Sequence, residues 1–266
     1  MRHCLTLPRW RRIIVGNGMA RRRDGAQTRE VTEKMTGSLA KARYFALVPC
    51  AGHGSRAGTA GPKQYERVAG QPMVLHTLSA FAAVQRIART LVVVAPGDGF
   101  FERNPGTSAL VVACGGATRA LSVGNGLREL RRVGAVDSDW VLVHDAARCL
   151  ITPELVDRLI DACAGDEVGG LLAHPLADTL KAEQDGRVSG TIVRDQKWLA
   201  QTPQMFRLGM LRQALEGGGN GLTDESSAIE AMGLKPLLVP AGAQNFKITY
   251  PEDFAMAEAV LRGRRS

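Results

Sequence analysis

The sequence predicts an α/β fold: a doubly wound, mostly parallel sheet with helices on both faces. Short apolar runs alternate along the chain with amphipathic stretches at helical spacing, as successive βα units require. Hydrophobic residues make up 45% of the chain and aromatic residues only 5%. Small aliphatic residues in this excess are typical of strands that are buried on both faces. The 266 residues are enough for one domain of this kind.

Seven short apolar runs bounded by Gly, Pro or polar residues predict the strands, and the early ones are expected to be buried. They are Tyr44–Cys50, Thr90–Ala95, Ala109–Cys114, Trp140–His144, Gly169–Pro175, Leu237–Pro240 and Phe246–Thr249. Helical spacing predicts helices over Pro72–Val84, Thr118–Val133, Arg207–Leu215 and Thr223–Met232. Thr152 as N-cap with Pro153 at the first helical position starts another helix. A capping box at Thr249–Glu252 starts the last helix, which runs to about Leu261.

The segment 176–198 departs from this alternation of strands and helices. It is polar, its residues alternate in character, and Asp185-Gly186 stands in its middle. An Asp-Gly pair between two alternating runs is a strong signal for a β-hairpin. We therefore expect a hairpin that protrudes from the sheet.

The positive charge of the chain is concentrated at its start. The whole chain has a formal net charge of +8, but residues 1–43 hold 11 of its 34 basic and 3 of its 26 acidic residues. Residues 44–266 therefore hold 23 of each sign, which argues against a nucleic-acid-binding body. Residues 1–43 are expected to be a disordered basic extension. Alternatively, Met1 is an upstream start codon and the true start of the protein is near Met19 or Met35. Residues 44–266 are expected to form the catalytic domain.

The cysteines and the hydropathy indicate a cytoplasmic protein. Five scattered cysteines show no Cys-x-x-Cys spacing, which argues against a disulfide framework and against a structural zinc site. No apolar run reaches the 18 residues expected of a membrane-spanning helix.

A glycine-rich loop follows the first strand and predicts a phosphate site. Gly52 and Gly54 let the backbone approach a bound group and turn N–H groups toward an anion. Arg56 and Lys63 add two positive charges. Because ligands of open α/β sheets bind at the carboxyl ends of strands, this loop is the first candidate for a polyphosphate site.

Two further segments are expected at the same edge of the sheet. Asp145 follows a buried strand, and its carboxylate is suited to hold Mg²⁺ together with substrate phosphates. Gly115-Gly116 precedes a helix and presents N–H groups to an anion or to the edge of a base. Each segment also has a simpler interpretation, as a turn cap or as a strand-to-helix turn. We assign no catalytic role to His144.

Eight segments in chain order resemble those of a known family, the 2-C-methyl-D-erythritol 4-phosphate cytidylyltransferases. They are Pro49–Arg56 with Pro62–Tyr65, Gly115–Ser122, Val141–Arg148, Asp178–Lys181, Arg194, Thr202–Gln204, Thr223–Ser226 and Asn245–Thr249. The resemblance covers about 44–262 and implies a nucleotidyltransferase-type fold. It also implies a homodimer in which the hairpin is the arm that embraces the other subunit. That family serves the non-mevalonate pathway of isoprene biosynthesis by joining CTP to methylerythritol phosphate with release of diphosphate.

The resemblance also implies roles for individual residues. The expected contacts to CTP come from Cys50, Ala51, Gly52, Gly54, Gly116, Arg119, Ser122, Asp145 and Ala146. The expected catalytic residues are Arg56, Lys63, Arg194 and Lys247. The acceptor is expected to contact Asp145, Arg148, Thr179, Arg194, Thr202 and Lys247, with Thr179 and Arg194 coming from the partner's arm. Asp145 is the expected metal ligand. Cys50 and Cys149 depart from the family pattern, where Ala and Pro are common.

The chemistry that the resemblance implies needs no general base, because the phosphate monoester nucleophile is already ionised near neutral pH. Cations and Mg²⁺ would stabilise the charge that develops at the α-phosphorus. A cytidylyltransferase acting on ribitol 5-phosphate is the near alternative, and a nucleotide-sensing or nucleic-acid-binding protein that acts through its basic tail is a more distant one. Too few residues follow 262 for a cyclase domain, so we expect the chain to be monofunctional.

Overall fold

Seven strands form the central sheet of the computed structural model, which describes residues 42–52, 54–59, 61–219 and 221–264. The predicted extension, 1–43, falls almost wholly on residues 1–41, which lie outside the described residues. In chain order the strands are β1 Tyr44–Pro49, β2 Arg67–Val68, β3 Gln71–Pro72, β4 Ile87–Val93, β5 Leu110–Val112, β6 Trp140–Val143, β7 Gly169–Pro175, β8 Leu180–Gln184, β9 Arg187–Ile192, β10 Trp198–Arg207 and β11 Leu237–Pro240. The helices are α1 Met73–Ala82, α2 Phe100–Arg103, α3 Arg119–Arg132, α4 Pro153–Cys163, α5 Leu208–Gly217, α6 Glu225–Ala231 and α7 Glu252–Gly263, and 3₁₀ turns occur at Ser55–Ala57 and Lys63–Tyr65.

The strand order is β11-β7-β10-β6-β1-β4-β5, which confirms the predicted doubly wound, mostly parallel sheet. The pairs β1–β4, β1–β6, β4–β5 and β7–β11 are parallel, and β10 is antiparallel to both of its neighbours. From β1 the chain winds first toward β5 and then returns to place β6 on the other side. The connections therefore reverse direction beside β1, and the carboxyl ends of β1 and β6 open a crevice there.

Alternate side chains of the strands build two cores, one on each face of the sheet. Phe45 and Leu47 of β1 pack with α3, α5 and α6, whereas Ala46 packs on the other face with α1 and α4. Burial on both faces explains why the strands are continuous apolar runs rather than alternating ones. The predicted cap at Thr152 forms, because its side chain accepts a hydrogen bond from Leu155 N. Thr118 caps its helix in the same way by accepting from Leu121 N.

The predicted hairpin is present as β8 and β9, an isolated two-stranded sheet joined at Asp185-Gly186. It is paired only with itself among the described residues. Leu180, Val188 and Ile192 are exposed. The hairpin thus contributes little to the core of its own chain.

The central strand β10 is an element that the sequence analysis did not identify. Its residues include Pro203 among polar neighbours, and a proline argues against a central strand because it has no N–H for the ladder. The register against β7 shifts between Ala200 and Gln204, so Pro203 lies where the ladder is interrupted. The proline is therefore accommodated by an irregularity in the strand.

Three smaller predictions were wrong. Residues 246–249 do not form a strand. The capping box at Thr249–Glu252 does not form, because Pro251 stands at the N-cap without a side-chain bond and Asp253 Oδ2 accepts from the N–H groups of Thr249 and Tyr250. The strand predicted at Ala109–Cys114 is only half-buried as β5, since it lies at the edge of the sheet. No helix in the described part of the chain is long and apolar enough to cross a bilayer.

Candidate active site

A cavity of about 420 Å³ lies at the carboxyl ends of β1 and β6, where the connections of the sheet reverse. The structure brings together there twelve residues that the sequence analysis predicted for the site. They are Cys50, Ala51, Gly52, Gly54, Arg56, Lys63, Gly116, Arg119, Ser122, Asp145, Ala146 and Lys247. These residues come from four separate parts of the chain, so the cavity exists only in the folded protein.

The glycine-rich loop after β1 is held in shape by a buried amide. Gln64 Nε2 donates to the carbonyl oxygens of Cys50 and Gly52, both at 2.9 Å. Gly54 has a left-handed backbone (φ +66°), and a Cβ at this position would lie 2.5 Å from Lys63 Cγ. The loop therefore needs glycine at 54 both for its turn and for the path of the Lys63 side chain. Gln64 is a positioning residue that the sequence analysis missed, although it lies in the Pro62–Tyr65 motif.

The second glycine loop touches the first one. A Cβ on Gly115 would lie 2.3 Å from Ala51 Cβ and 2.9 Å from Val94 O, so only glycine permits this approach. Beside it, Ser122 Oγ accepts from Gly116 N at 3.0 Å and donates to Thr118 O at 3.0 Å. The start of α3 and the Gly116 loop are thus fixed together along one wall of the cavity.

Four alternating charges form a chain from α6, behind the cavity, through its wall to the loop after β11. Arg119 donates through both terminal nitrogens to the Glu225 carboxylate, at 2.7 and 3.0 Å. Its Nε donates to Asp145 Oδ1 at 2.8 Å. Lys247 Nζ lies 2.8 Å from Asp145 Oδ2. The sequence motif Thr223–Ser226 contained Glu225, but nothing in the local pattern indicated that it would meet Arg119.

This charge chain shifts the pKa values of its members. Burial by itself would raise the pKa of Asp145, but Arg119 and Lys247 outweigh it and hold the pKa well below its ordinary value. Burial would lower the pKa of Arg119, but Glu225 and Asp145 raise it overall. Asp145 is therefore a carboxylate and Arg119 a guanidinium at every physiological pH.

Lys63 is the second lysine of the cavity. Its Nζ donates to Ile248 O at 2.6 Å, which ties the glycine loop to the segment that carries Lys247. Burial lowers the pKa of Lys63, and the neighbouring cations Lys247 and Arg56 lower it further. Arg56 is exposed at the mouth of the cavity. With Arg119, four cations thus face one concave space, as an anionic ligand requires.

Thr202 and Arg148, which were predicted to contact the acceptor, do not line the cavity. They lie behind its wall and support the loop that carries Asp145. Thr202 is buried, and its Oγ1 accepts from Asp145 N at 3.0 Å. The Thr202 hydroxyl also lies 3.1 Å from His144 Nδ1, and His144 Nε2 donates to Arg148 O at 3.1 Å. Arg148 donates to Asn245 O at 2.8 Å and Ala200 O at 3.1 Å. These bonds hold the loop that presents Asp145.

Two further predicted residues, Thr179 and Arg194, belong to the hairpin region and are not among the described residues that line this cavity. Arg194 is exposed and donates to Ala177 O of its own chain. Their predicted role depends on a second subunit. The two departures from the family pattern, Cys50 and Cys149, are buried. Burial raises the pKa of each thiol to about 12.

The donor set of the cavity fits Mg²⁺ better than a metal held by the protein alone. Among the described lining residues Asp145 is the one carboxylate. The described residues contain no cluster of three or more His, Cys, Asp or Glu suited to a metal. Mg²⁺ is commonly held by one or two carboxylates together with substrate phosphates, so an ionised Asp145 in a cavity lined by Arg56, Lys63 and Lys247 fits it.

Comparison with known proteins gives consistent results. The family model of 2-C-methyl-D-erythritol 4-phosphate cytidylyltransferase matches residues 44–263. A protein of that description from Paraburkholderia phytofirmans is 54% identical over 82% of this chain and 96% of its own length. A bifunctional enzyme IspD/IspF from Albidiferax ferrireducens is 67% identical over 84% of this chain, but the match spans only 54% of that protein. A crystal structure of 4-diphosphocytidyl-2C-methyl-D-erythritol synthase superimposes with a TM-score of 0.75 at 38% identity, covering 83% of this chain and 99% of that one.

Proposed function

The chain belongs to the 2-C-methyl-D-erythritol 4-phosphate cytidylyltransferase family, and we propose that its cavity transfers the cytidylyl group of CTP to 2-C-methyl-D-erythritol 4-phosphate. The observation that carries this proposal is the convergence of Lys63, Lys247 and Arg56 with an ionised Asp145 around two glycine loops. Four cations, Arg119 included, and one carboxylate suit a triphosphate that reacts with a second phosphate. The products are 4-diphosphocytidyl-2-C-methyl-D-erythritol and diphosphate.

The proposed reaction is an in-line displacement at the α-phosphorus of CTP. An oxygen of the acceptor phosphate forms the new P–O bond, and the bond to the bridging oxygen of the β-phosphate breaks, so diphosphate leaves with the electron pair. The acceptor phosphate is already ionised because its second pKa is about 6, so no base is required. The histidine next to Asp145, His144, is not placed to act as a base. It is buried, which lowers its pKa to about 4, and both of its ring nitrogens have hydrogen-bond partners beneath the site.

The cations have distinct places in this reaction. Lys63 and Arg56 border the glycine loop and would stabilise charge on the triphosphate, whereas Lys247 would position the acceptor phosphate. Asp145 would hold Mg²⁺, which supplies charge neutralisation between the two anions. Mg²⁺ would compete there with Lys247, which contacts Oδ2 in the free protein.

We also propose a cytoplasmic homodimer in which the arm, residues 176–198, reaches the partner. The exposed apolar side chains Val188, Ile192 and Val193 support this, because a lone hairpin is marginally stable in water. Thr179 and Arg194 would then complete the acceptor pocket of the other subunit. The four described cysteines are free thiols, which is compatible with a reducing compartment.

Diphosphate release tests the proposed reaction directly. Purified protein is incubated with Mg²⁺, CTP and either methylerythritol phosphate or ribitol 5-phosphate, and UTP replaces CTP in a second series. We expect turnover with methylerythritol phosphate at least about tenfold above ribitol 5-phosphate, and CTP well above UTP, because polar groups of the cavity would be left unpaired by the wrong base. The family comparisons favour methylerythritol phosphate, so faster turnover with ribitol 5-phosphate would overturn the assignment of the acceptor.

A further inference from the structure

Glu225 is a buried carboxylate that the proposed reaction does not use. It lies in the first turn of α6, its side chain is 1% exposed, and both of its oxygens accept from Arg119. It does not line the cavity that holds the glycine loops. A carboxylate buried so completely needs a reason beyond solubility, since burying a charge is unfavourable unless it is paired.

The position of Glu225 is fixed by the sheet. Asp224 caps α6 by accepting from Ser227 N, and its other oxygen accepts from Gln204 Nε2 at 2.9 Å. Gln204 Oε1 in turn accepts from Ser226 N at 2.7 Å. Gln204 belongs to β10 and pairs with Val143 of β6, the strand that precedes Asp145. The first turn of α6 is therefore anchored to the same strands that present Asp145.

The Arg119 guanidinium is not fixed by packing in this way. A second cavity, of about 560 Å³, lies between α3, α5 and α6, and Arg119 borders both cavities. Packing therefore leaves Arg119 room on either side. Its direction is set by its two anions, with Glu225 taking both terminal nitrogens and Asp145 taking Nε.

We infer that Glu225 is a positioning residue that holds the terminal nitrogens of Arg119 away from Asp145, so that Asp145 Oδ2 faces the cavity and Lys247 rather than Arg119. A guanidinium freed from Glu225 would turn to Asp145, because an arginine and a carboxylate prefer a two-bond arrangement. Both Asp145 oxygens would then face Arg119. Arg119 would then offset the negative charge of Asp145 and weaken the binding of Mg²⁺ and of the nucleotide. The Lys63 side of the cavity would be unchanged. This inference rests on the proposed function, in which Asp145 holds Mg²⁺ and contacts CTP.

Three variants test the inference. Glu225→Gln keeps the size and removes the charge, and Glu225→Asp keeps the charge on a shorter side chain. Glu216→Gln is the matched control, since Glu216 is also paired with an arginine, Arg212, but is exposed on α5. The measurements are calorimetric CTP affinity at several Mg²⁺ concentrations without acceptor, KM for each substrate, and Tm.

We expect Glu225→Gln to weaken CTP binding by about 10- to 100-fold and to raise the Mg²⁺ concentration that binding requires, as removal of an outer-shell partner does. KM for the acceptor should stay within about threefold and Tm within a few degrees. Glu225→Asp should recover part of the affinity. Glu216→Gln should match the wild type in all measurements.

Other results would overturn the inference. CTP affinity of Glu225→Gln within twofold of wild type would do so, as would a joint loss of CTP affinity, acceptor KM and Tm that Glu225→Asp fails to rescue. If Glu225→Gln does not fold, Glu225→Asp decides alone, because unchanged CTP affinity there contradicts the inference. The calorimetry uses no acceptor, so a wild-type protein that binds CTP but does not turn over methylerythritol phosphate would refute the acceptor and leave the test of Glu225 valid.

Discussion

The cavity and the arm of this chain represent two opposite ways of building a functional surface. The cavity is surrounded by strands buried on both faces, and its charged side chains are paired within the chain, as Arg119 is with Asp145 and Glu225. The β8–β9 hairpin of the arm is paired only with itself among the described residues, and Val188 is 67% exposed. The described lining of the cavity comes from a single chain, whereas the arm presents surface that its own chain does not cover.

This difference separates what each region can contribute. A site that must stabilise charge needs groups held in advance by a rigid scaffold, since reorganisation during reaction weakens that stabilisation. The strand ends of a doubly wound sheet provide such a scaffold, and a two-stranded hairpin does not. We therefore expect substitutions in the cavity to reduce catalysis in the chain that carries them, and substitutions in the arm to act on the site of the other subunit.

The largest effect is expected from Lys63→Ala. Loss of this cation should lower kcat by about 10²–10³-fold, by analogy with the loss of a single oxyanion donor. Steady-state diphosphate release measures the rate, and circular dichroism checks the fold. Lys235→Ala, a change at an exposed lysine outside the cavity, should behave as wild type. More than about a tenth of the wild-type rate in Lys63→Ala would be incompatible with its proposed role.

A smaller effect, on KM rather than kcat, is expected from Arg194→Ala in the arm. It should raise KM for the acceptor and spare CTP binding, because Arg194 would reach the acceptor phosphate of the partner. Titration of each substrate against initial rate separates the two effects.

Mixing the two variants tests the sharing of sites. After random subunit exchange between Arg194→Ala and Lys63→Ala, about a quarter of the sites should be active, since half of the dimers are mixed and each has one intact site. No recovery in verified mixed dimers would place Arg194 in the site of its own chain.

Glycine substitutions compare the two regions at equal backbone strain. Gly54→Ala should lower kcat/KM by about tenfold or more, because its Cβ would lie 2.5 Å from Lys63 Cγ and displace that side chain. Gly186→Ala at the tip of the arm has a similar left-handed backbone (φ +75°) but meets nothing within 4 Å. Both should lower Tm slightly, and only Gly54→Ala should lose activity. Equal losses of kcat/KM in the two variants would show that backbone strain, rather than displacement of Lys63, causes the loss of activity.

The smallest expected effect concerns stability against pH. Burial lowers the pKa of His144 to about 4, below the ordinary 6.5, so the unfolded chain takes up this proton first as pH falls. Stability from this residue is full above pH 6.5 and is lost as pH falls toward 4, by roughly 2 kcal/mol at pH 5. Urea unfolding at pH 7.5 and 5 should therefore show a smaller loss in His144→Gln than in wild type. His174→Gln, outside the core, is the control, and equal losses in all three proteins would contradict this account.

The sequence by itself determined the elements whose signals are local. Gly169–Pro175 and Leu237–Pro240 were predicted with the observed bounds, because a continuous apolar run flanked by turn residues is specified within a few positions. Thr152 marked its helix start for the same reason, since a cap acts on N–H groups three residues away. The glycine loop, Lys63 and Asp145 were identified because the carboxyl edge of such a sheet is where ligands bind.

Only the tertiary structure decided which distant residues meet. Glu225 pairs with Arg119 across 106 positions, and nothing in the sequence around either one specifies that contact. Strand β10 enters between β6 and β7 despite Pro203, because the register shift there removes the need for its missing N–H. Thr202 and Arg148 lie beneath Asp145 rather than in the cavity, since that strand brings Thr202 against the backbone of Asp145. Hydrophobic periodicity sets which face of an element is buried, whereas the partner of a buried charge depends on how the whole sheet is ordered.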